Sequence, residues 1–176
     1  MMTKKEAVAA AAIAVVADLF LFLSMITYQV KQLLESHNVN YIVKEHEPTP
    51  TSQDSARARG EPLKIGAKAL IVKAKQGFIM AVLPADKKLD TKKLKIILGS
   101  KNLRFATQEE LKEVTGLPPG AVPPFSQFFN IPLLVDNSLF DEEYMAFNAG
   151  SLTVSIKMKT NDYQMIVKPQ TADFSF

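Results

Sequence analysis

The sequence predicts an α+β fold, a mixed and partly barrel-like β-sheet flanked by helices, on three observations. Two apolar segments, Ala67 to Ala74 and Phe78 to Leu83, are separated only by a turn at Gln76-Gly77, which makes a hairpin rather than a crossover. Helical segments with capping signals stand on both sides of that hairpin. Further along, Leu152, Val154, Ile156 and Met158 alternate with Thr153, Ser155, Lys157 and Lys159, the period-2 pattern of a half-buried strand. Hairpins mixed with helices imply a mixed sheet or barrel.

The first element differs in composition from the rest. Ala7 to Ile26 is an apolar run interrupted only by Asp18 and Ser24 and preceded by Lys4 and Lys5, so it predicts an apolar N-terminal helix. It is long enough to span a bilayer, but Asp18 near its centre carries about 2.5 to 3.5 kcal/mol on insertion scales. No small-x-small cleavage site follows the Leu/Phe stretch, which argues against a secreted product. Met25 stands directly before a natural opening helix, so residues 1–24 read as an extension or a weak membrane anchor, with one domain over 25–176. A cytoplasmic protein is expected, or a membrane-tethered one if that segment is a real anchor.

From about Tyr28 a helix runs to His37-Asn38, and Tyr41 to Lys44 is β-like. Pro48 and Pro50 force a loop, after which Thr51 or Ser52 caps a short helix that Gly60 terminates. After the hairpin, Asp90 caps a basic helix reaching Leu98 and stopping at Gly99. Thr107 with Glu110 makes a capping box for a helix ending at Thr115-Gly116. Pro132 to Asp136 reads as a buried strand ending in an acid. Pro118-Pro119-Gly120 could pass for a hinge, yet the flanking elements are too short to bury cores of their own, which makes it a loop within one domain.

The 176 residues are 47% apolar, ample for one core. With no cysteine, a disulfide scaffold, a thiolate nucleophile and cysteine-based metal sites are excluded. His37 and His46 are the only histidines and form no helical ligand pair, so no metal is expected. No Gly-x-Ser-x-Gly elbow supports a serine hydrolase. The net charge of +3 is uneven: Lys87, Lys88, Lys92, Lys93, Lys95, Lys101 and Arg104 face only Asp90 within their segment. Such a segment is either an RNA-binding surface or a solvated basic face.

Two features suggest a built site. Lys68 lies within an apolar strand, on the same side as Leu70, Val72 and Ala74, so its ammonium either snorkels to solvent or stands at a pocket. About fifty residues later, Pro118-Pro119-Gly120-Ala121-Val122-Pro123-Pro124-Phe125 fits neither strand nor helix. Only Gly120, Ala121 and Val122 of its Gly120–Pro124 core can offer N–H groups, and prolines would hold those donors rigid around a developing oxyanion.

From about Met25 to Lys168 the chain resembles the YbaK/prolyl-tRNA-editing family, free-standing deacylases related to the insertion domain of bacterial prolyl-tRNA synthetase. The landmarks, in order, are Thr51-Ser52, Lys68-Ala69, Leu89-Asp90, Thr115-Gly116 followed by Gly120-Ala121-Val122-Pro123-Pro124, Val135-Asp136, and Asn148-Ala149-Gly150. The resemblance implies a YbaK-like fold and hydrolysis of the ester joining a wrong amino acid to the 3′ end of a tRNA, most often tRNA for proline. It implies no cofactor, because an aminoacyl ester is already activated. Lys68 would hold the terminal nucleotide's phosphate or the ester, and the Gly120 loop with Phe125 would surround the aminoacyl group, the vicinal 2′-hydroxyl assisting. Asp136 would bind the α-ammonium or cap the next helix, Asn148 would donate in the pocket or form a turn, and Thr51 and Ser52 would contact substrate or cap their helix. An aminoacyl-tRNA synthetase is a further expected partner.

Three positions depart from the family pattern. Ala69 replaces a frequent Thr, Ala121 replaces the second Gly of the loop, and no histidine follows Asn148-Ala149-Gly150. Val122 and Phe125, with Met80 or Leu70, would make a small apolar pocket suited to alanine-sized or serine-sized side chains. The alternative is a non-catalytic module with the same fold that grips an RNA end or a synthetase.

Overall fold

The computed structural model describes residues 25–176, and the apolar N-terminal helix and possible anchor expected over 1–24 lie outside the described residues. Helix α1 (25–36) buries Ile26, Val30 and Leu34, one face at i, i+4 and i+8. No helix among the described residues is long and apolar enough to cross a membrane.

Two sheets follow. In the first, β1 (Tyr41–Glu45), β7 (Val154–Lys159) and β6 (Tyr144–Asn148) are antiparallel in the order β1-β7-β6. The second holds β2 (Ala67–Ala74), β3 (Gly77–Pro84), β4 (Arg104–Phe105), β5 (Leu133–Asp136) and β8 (Gln170–Ala172) in the order β4-β2-β3-β5-β8. β2 and β3 form the expected hairpin, with Ala74 opposite Gly77, so the turn is Lys75-Gln76, one residue earlier than expected. β3–β5 and β5–β8 are parallel, which makes this sheet mixed. Neither sheet closes on itself, so the barrel-like expectation is corrected: among the described residues the two sheets are joined by a single parallel bridge, Gly66 to Ala146.

The helices start where the sequence places their caps. Thr51 accepts from the Asp54 amide at the start of α2 (Ser52–Arg59), which Gly60 ends at φ 70°. Asp90 accepts from the Lys92 and Lys93 amides to open α3 (Thr91–Ile97). The capping box of Thr107 and Glu110 opens α4 (Gln108–Thr115). Helix α5 (Thr160–Val167) follows β7 directly.

The main core packs α1 against Ile71, Met80 and Val82, the Leu117–Phe125 region and β5 to β7. Phe125 sits at its centre, edge-on to Phe147 and Tyr163 with ring centroids 5.4 Å away in both cases. A smaller core on the other face of the second sheet collects Val72, Ala74, Ile79, Ala81, Leu83, Leu94 and Phe174. The period-2 reading of β2 therefore holds: Val72 and Ala74 belong to this second core and Leu70 packs against it, while Ile71 enters the main core.

Candidate active site

Where β2 begins, near the bridge between the sheets, a cavity of about 150 Å³ opens. Its walls come from the Thr49–Ser52 loop, Ser55 and Arg59 of α2, Gly66 to Leu70, Ala85, Gly120, Val122, and Ala146 and Asn148 of β6. The Lys68 ammonium is half-buried and donates to the carbonyls of Lys87 and of Ala85, the latter at 3.2 Å. An ammonium has three N–H groups, so one is left for a ligand. Burial pushes the Lys68 ammonium below the ordinary lysine range, Asp86 opposes that shift, and Lys88 adds to it.

The loop that carries Gly120 is held from behind. Gly120 adopts φ +85°, and an added Cβ would stand 3.3 Å from both the Pro50 carbonyl oxygen and Leu152. Its carbonyl accepts from Asn148 Nδ2 at 2.9 Å. Asn148 is only 7% exposed, and its Oδ1 accepts from Ser155 Oγ at 2.9 Å. Ser155 Oγ in turn accepts from Arg59 Nη1 at 3.3 Å and meets His46 Nε2 at 2.8 Å. Ser55 Oγ donates to Thr49 Oγ1 at 2.9 Å, and Asn148 Nδ2 also reaches both hydroxyls at 3.4 Å. This buried polar network supports the cavity from beneath.

Of the residues expected at the site, Thr51, Ser52, Lys68, Gly120, Val122 and Asn148 line this cavity, together with Leu70. The others fall elsewhere, most of them behind the loop. The Ala121 amide donates to the Pro118 carbonyl at 3.2 Å, and its own carbonyl accepts from the Gly150 amide at 2.9 Å. The expected trio of free amides is thereby reduced to those of Gly120 and Val122. Pro123 is buried and its carbonyl accepts from the Phe125 amide, while the Pro124 carbonyl accepts from Tyr163 Oη at 2.7 Å. Phe125 and Met80 are fully buried in the main core rather than facing substrate, because their strand and loop positions point between the sheets. Ala149 and Gly150 pack against α1, where Thr27 Oγ1 donates to the Ala149 carbonyl at 2.6 Å.

Asp136 is committed to the backbone. At 2% exposure, it accepts from the Ser138 hydroxyl and amide and from the Phe174 amide at 2.8 Å, so of its two expected roles the capping one is realised. Burial alone would raise its carboxyl, but these hydrogen bonds outweigh burial and hold it below the usual range.

Residues 46–166 match the family described as the aminoacyl-tRNA editing domain. The chain belongs to the YbaK/prolyl-tRNA-editing family. It is 35% identical over 147 residues to the multifunctional Ser/Thr-tRNA deacylase ProXp-y of Escherichia coli K12, covering 81% of this chain and 88% of that protein. The prolyl-tRNA editing protein ProX of Acetoanaerobium sticklandii is 26% identical over 77% of this chain and 86% of its own length. Part of the proline–tRNA ligase of Fervidobacterium nodosum is 38% identical over 74 residues, 42% of this chain and 13% of the ligase. Among solved structures, a hypothetical protein superposes with a TM-score of 0.76 at 26% identity, covering 84% of this chain and 99% of that one. A candidate trans-editing enzyme for prolyl tRNA synthetase, at 24% identity and a TM-score of 0.74 over 86% of this chain and 97% of that one, shares the fold.

In this editing domain the basic segment divides. Lys87 and Lys88 lie beside Lys68, through the Lys87 carbonyl and the charge of Lys88. Lys92 and Lys93 are exposed on α3. Lys95, Lys101 and Arg104 line a separate open cleft of about 730 Å³ with Lys73 and Lys75 at the turn end of the hairpin. Arg104, expected among the RNA-binding residues, grips Glu110 through two nitrogens, at 2.6 and 2.7 Å, and Lys73 Nζ reaches the same carboxylate at 2.8 Å. Those contacts hold the Glu110 carboxyl far below its ordinary range.

Four residues of the editing domain's cavity network escape the sequence reading altogether: Thr49, Ser55, Arg59 and Ser155. In sequence, Ser155 belongs to the polar side of β7, and only the placement of α2 over that side buries it. His46, set aside as a metal ligand, is a member of the same network.

Proposed function

We propose that this protein hydrolyses the ester of mischarged aminoacyl-tRNA in trans, with tRNA for proline carrying a small non-cognate amino acid as substrate. The observation that carries the reading is the convergence of the Lys68 ammonium and the Gly120 loop on one small cavity. An aminoacyl ester needs only a positioned water and a polarised carbonyl. The free N–H groups of Gly120 and Val122 would face the oxygen on which charge develops, and a single such donor is worth roughly two to three orders of magnitude in rate in other acyl-transfer enzymes. Lys68 would hold the ester or the terminal phosphate as a point charge with its remaining N–H. The similarity to a Ser/Thr-tRNA deacylase supports serine and threonine as candidate side chains. The similarity to part of a proline–tRNA ligase supports tRNA for proline and a synthetase as a partner.

The test is ester loss over time from tRNA for proline charged separately with alanine, serine, threonine, cysteine and proline. The full chain and its Lys68→Ala variant are compared. Rapid loss of one non-proline ester, absent in the variant, is the expected result. Tight tRNA binding with no loss above the spontaneous rate would instead make the protein a binding module.

A further inference from the structure

The last residue of α2 is a buried cation without a carboxylate partner. Arg59 is 8% exposed, its Nη1 donates to Ser155 Oγ at 3.3 Å, and its Nε has no hydrogen-bond partner. No acid among the described residues forms an ion pair with it. Glu61, the acid whose charge acts on it, is itself held by Lys157 Nζ at 2.7 Å. A guanidinium stays charged in a protein, and burying an ion without its counter-ion is unfavourable, so a second charge is called for. Arg59 lines the same cavity as Lys68, and no Asp or Glu lines that cavity. Ser52 adds a hydroxyl to the same lining.

We infer that this cavity is an anion site in which Arg59 is a second cation beside Lys68, and that the anion is the phosphodiester joining the last two nucleotides of the substrate RNA. The inference rests on the aminoacyl-tRNA reading above. In such a substrate the carboxylate is esterified and the amino acid carries an α-ammonium, which two cations repel. Phosphate is then the anion the ground state offers. A volume of about 150 Å³ is below that of pockets for whole drug-sized ligands, which suits one group of the substrate rather than a nucleotide. The α-ammonium is thereby directed away from Arg59 and Lys68, which orients the ester.

The probes are the dinucleotide cytidylyl-(3′→5′)-adenosine, adenosine and inorganic phosphate, each titrated calorimetrically into the full chain and into Arg59→Gln and Arg59→Lys. Expected is dinucleotide binding about tenfold or more tighter than adenosine, a preference lost in Arg59→Gln and partly kept in Arg59→Lys. Deacylation by Arg59→Gln should show a raised KM with kcat within about threefold of wild type. An undiminished preference in Arg59→Gln overturns the inference, as does a fall in kcat at unchanged KM, which would put Arg59 at the reacting ester. Binding of inorganic phosphate with no preference for the dinucleotide overturns the RNA source. Should Arg59→Gln not fold, Arg59→Lys, which keeps the charge, carries the test: a folded Arg59→Lys that shows no dinucleotide preference at all overturns the inference. Dinucleotide binding lost in Arg59→Gln by a protein that deacylates nothing would leave the anion site standing and remove the proposed turnover.

Discussion

Asn148 Nδ2 holds the carbonyl of Gly120 at 2.9 Å across 28 positions of the chain, and this contact joins the end of β6 to the loop beside Lys68. It fixes which way the peptide after Gly120 faces. The geometry of the loop amides therefore depends on a side chain with no free polar atom for substrate.

Asn148→Ala removes that donor from the buried Gly120 carbonyl and takes from the Ser155 hydroxyl its Oδ1 acceptor. Leaving buried polar groups unsatisfied costs about 1 to 3 kcal/mol each. Thermal unfolding should fall by several degrees, and turnover should fall more than tenfold with KM little changed. Single-turnover deacylation beside a melting curve checks both, and a variant that melts lower yet turns over normally would disconnect Asn148 from the loop's action.

Gly120→Ala forces a side chain into the left-handed region and against Pro50 and Leu152. The conformational part is about 1 to 2 kcal/mol. Gly99→Ala carries a similar conformational cost at φ +57° with nothing within 4 Å of the new methyl, so it is the matched control. Expected in thermal unfolding is a loss of stability in both, the larger in Gly120→Ala because of the added contacts, with deacylation lost only in Gly120→Ala.

Asp136 links stability to acid. Its carboxyl is held below the usual range in the folded protein, so the unfolded chain binds more protons as pH falls toward the ordinary aspartate value near 4. The contribution of Asp136 is full above that value and declines as pH drops through the folded one. Denaturant unfolding at pH 7 and at stepwise lower pH should show this slope, and Asp136→Asn should be less stable at pH 7 with a shallower acid limb. An unchanged limb would mean that other carboxyls dominate.

The two parts of the basic segment should separate by salt. If Lys95 and Lys101 touch phosphates of a tRNA, exchanging both for Gln lowers the slope of log affinity against log salt by about one for each lost contact. Arg104→Gln should leave that slope nearly unchanged and instead lower stability, because its guanidinium is engaged by Glu110. Filter binding between low and moderate salt gives the slopes, and a large slope change in Arg104→Gln would reverse this division.

Local signals carried most of the framework. The hairpin, the Thr51 and Asp90 caps and the Thr107–Glu110 capping box each depend on residues within a few positions, and each is found, the hairpin with its turn one residue early. β6 was not legible because Met145, Ala146 and Phe147 are all buried and show no alternation, and β8 is only three residues long. α5 ends on Lys168 in the left-handed conformation, with no glycine to mark the stop. In the site, Lys68 and Gly120 stood out as a charge among apolar neighbours and a glycine between prolines. Arg59 did not, since Ala56 and Ala58 are the only apolar residues of Ser52–Arg59, too few and too small to mark a buried face. Its contact with Ser155 spans 96 positions, a distance over which no spacing rule applies.

The single Gly66–Ala146 bridge bears on how such a site could change over time. The cavity takes Lys68 and Ala69 from one sheet and Ala146 and Asn148 from the other, so its opening behaves like the gap of a calliper whose arms meet at one rung. A Cβ on Gly66 would come within 2.8 Å of the methyl of Ala85, which flanks the neighbouring strand of the same sheet and also lines the cavity, so even the smallest side chain there would press on the cavity wall beside the pivot. The width of the cavity is then adjustable from the pivot while Lys68 and Gly120 keep their identities.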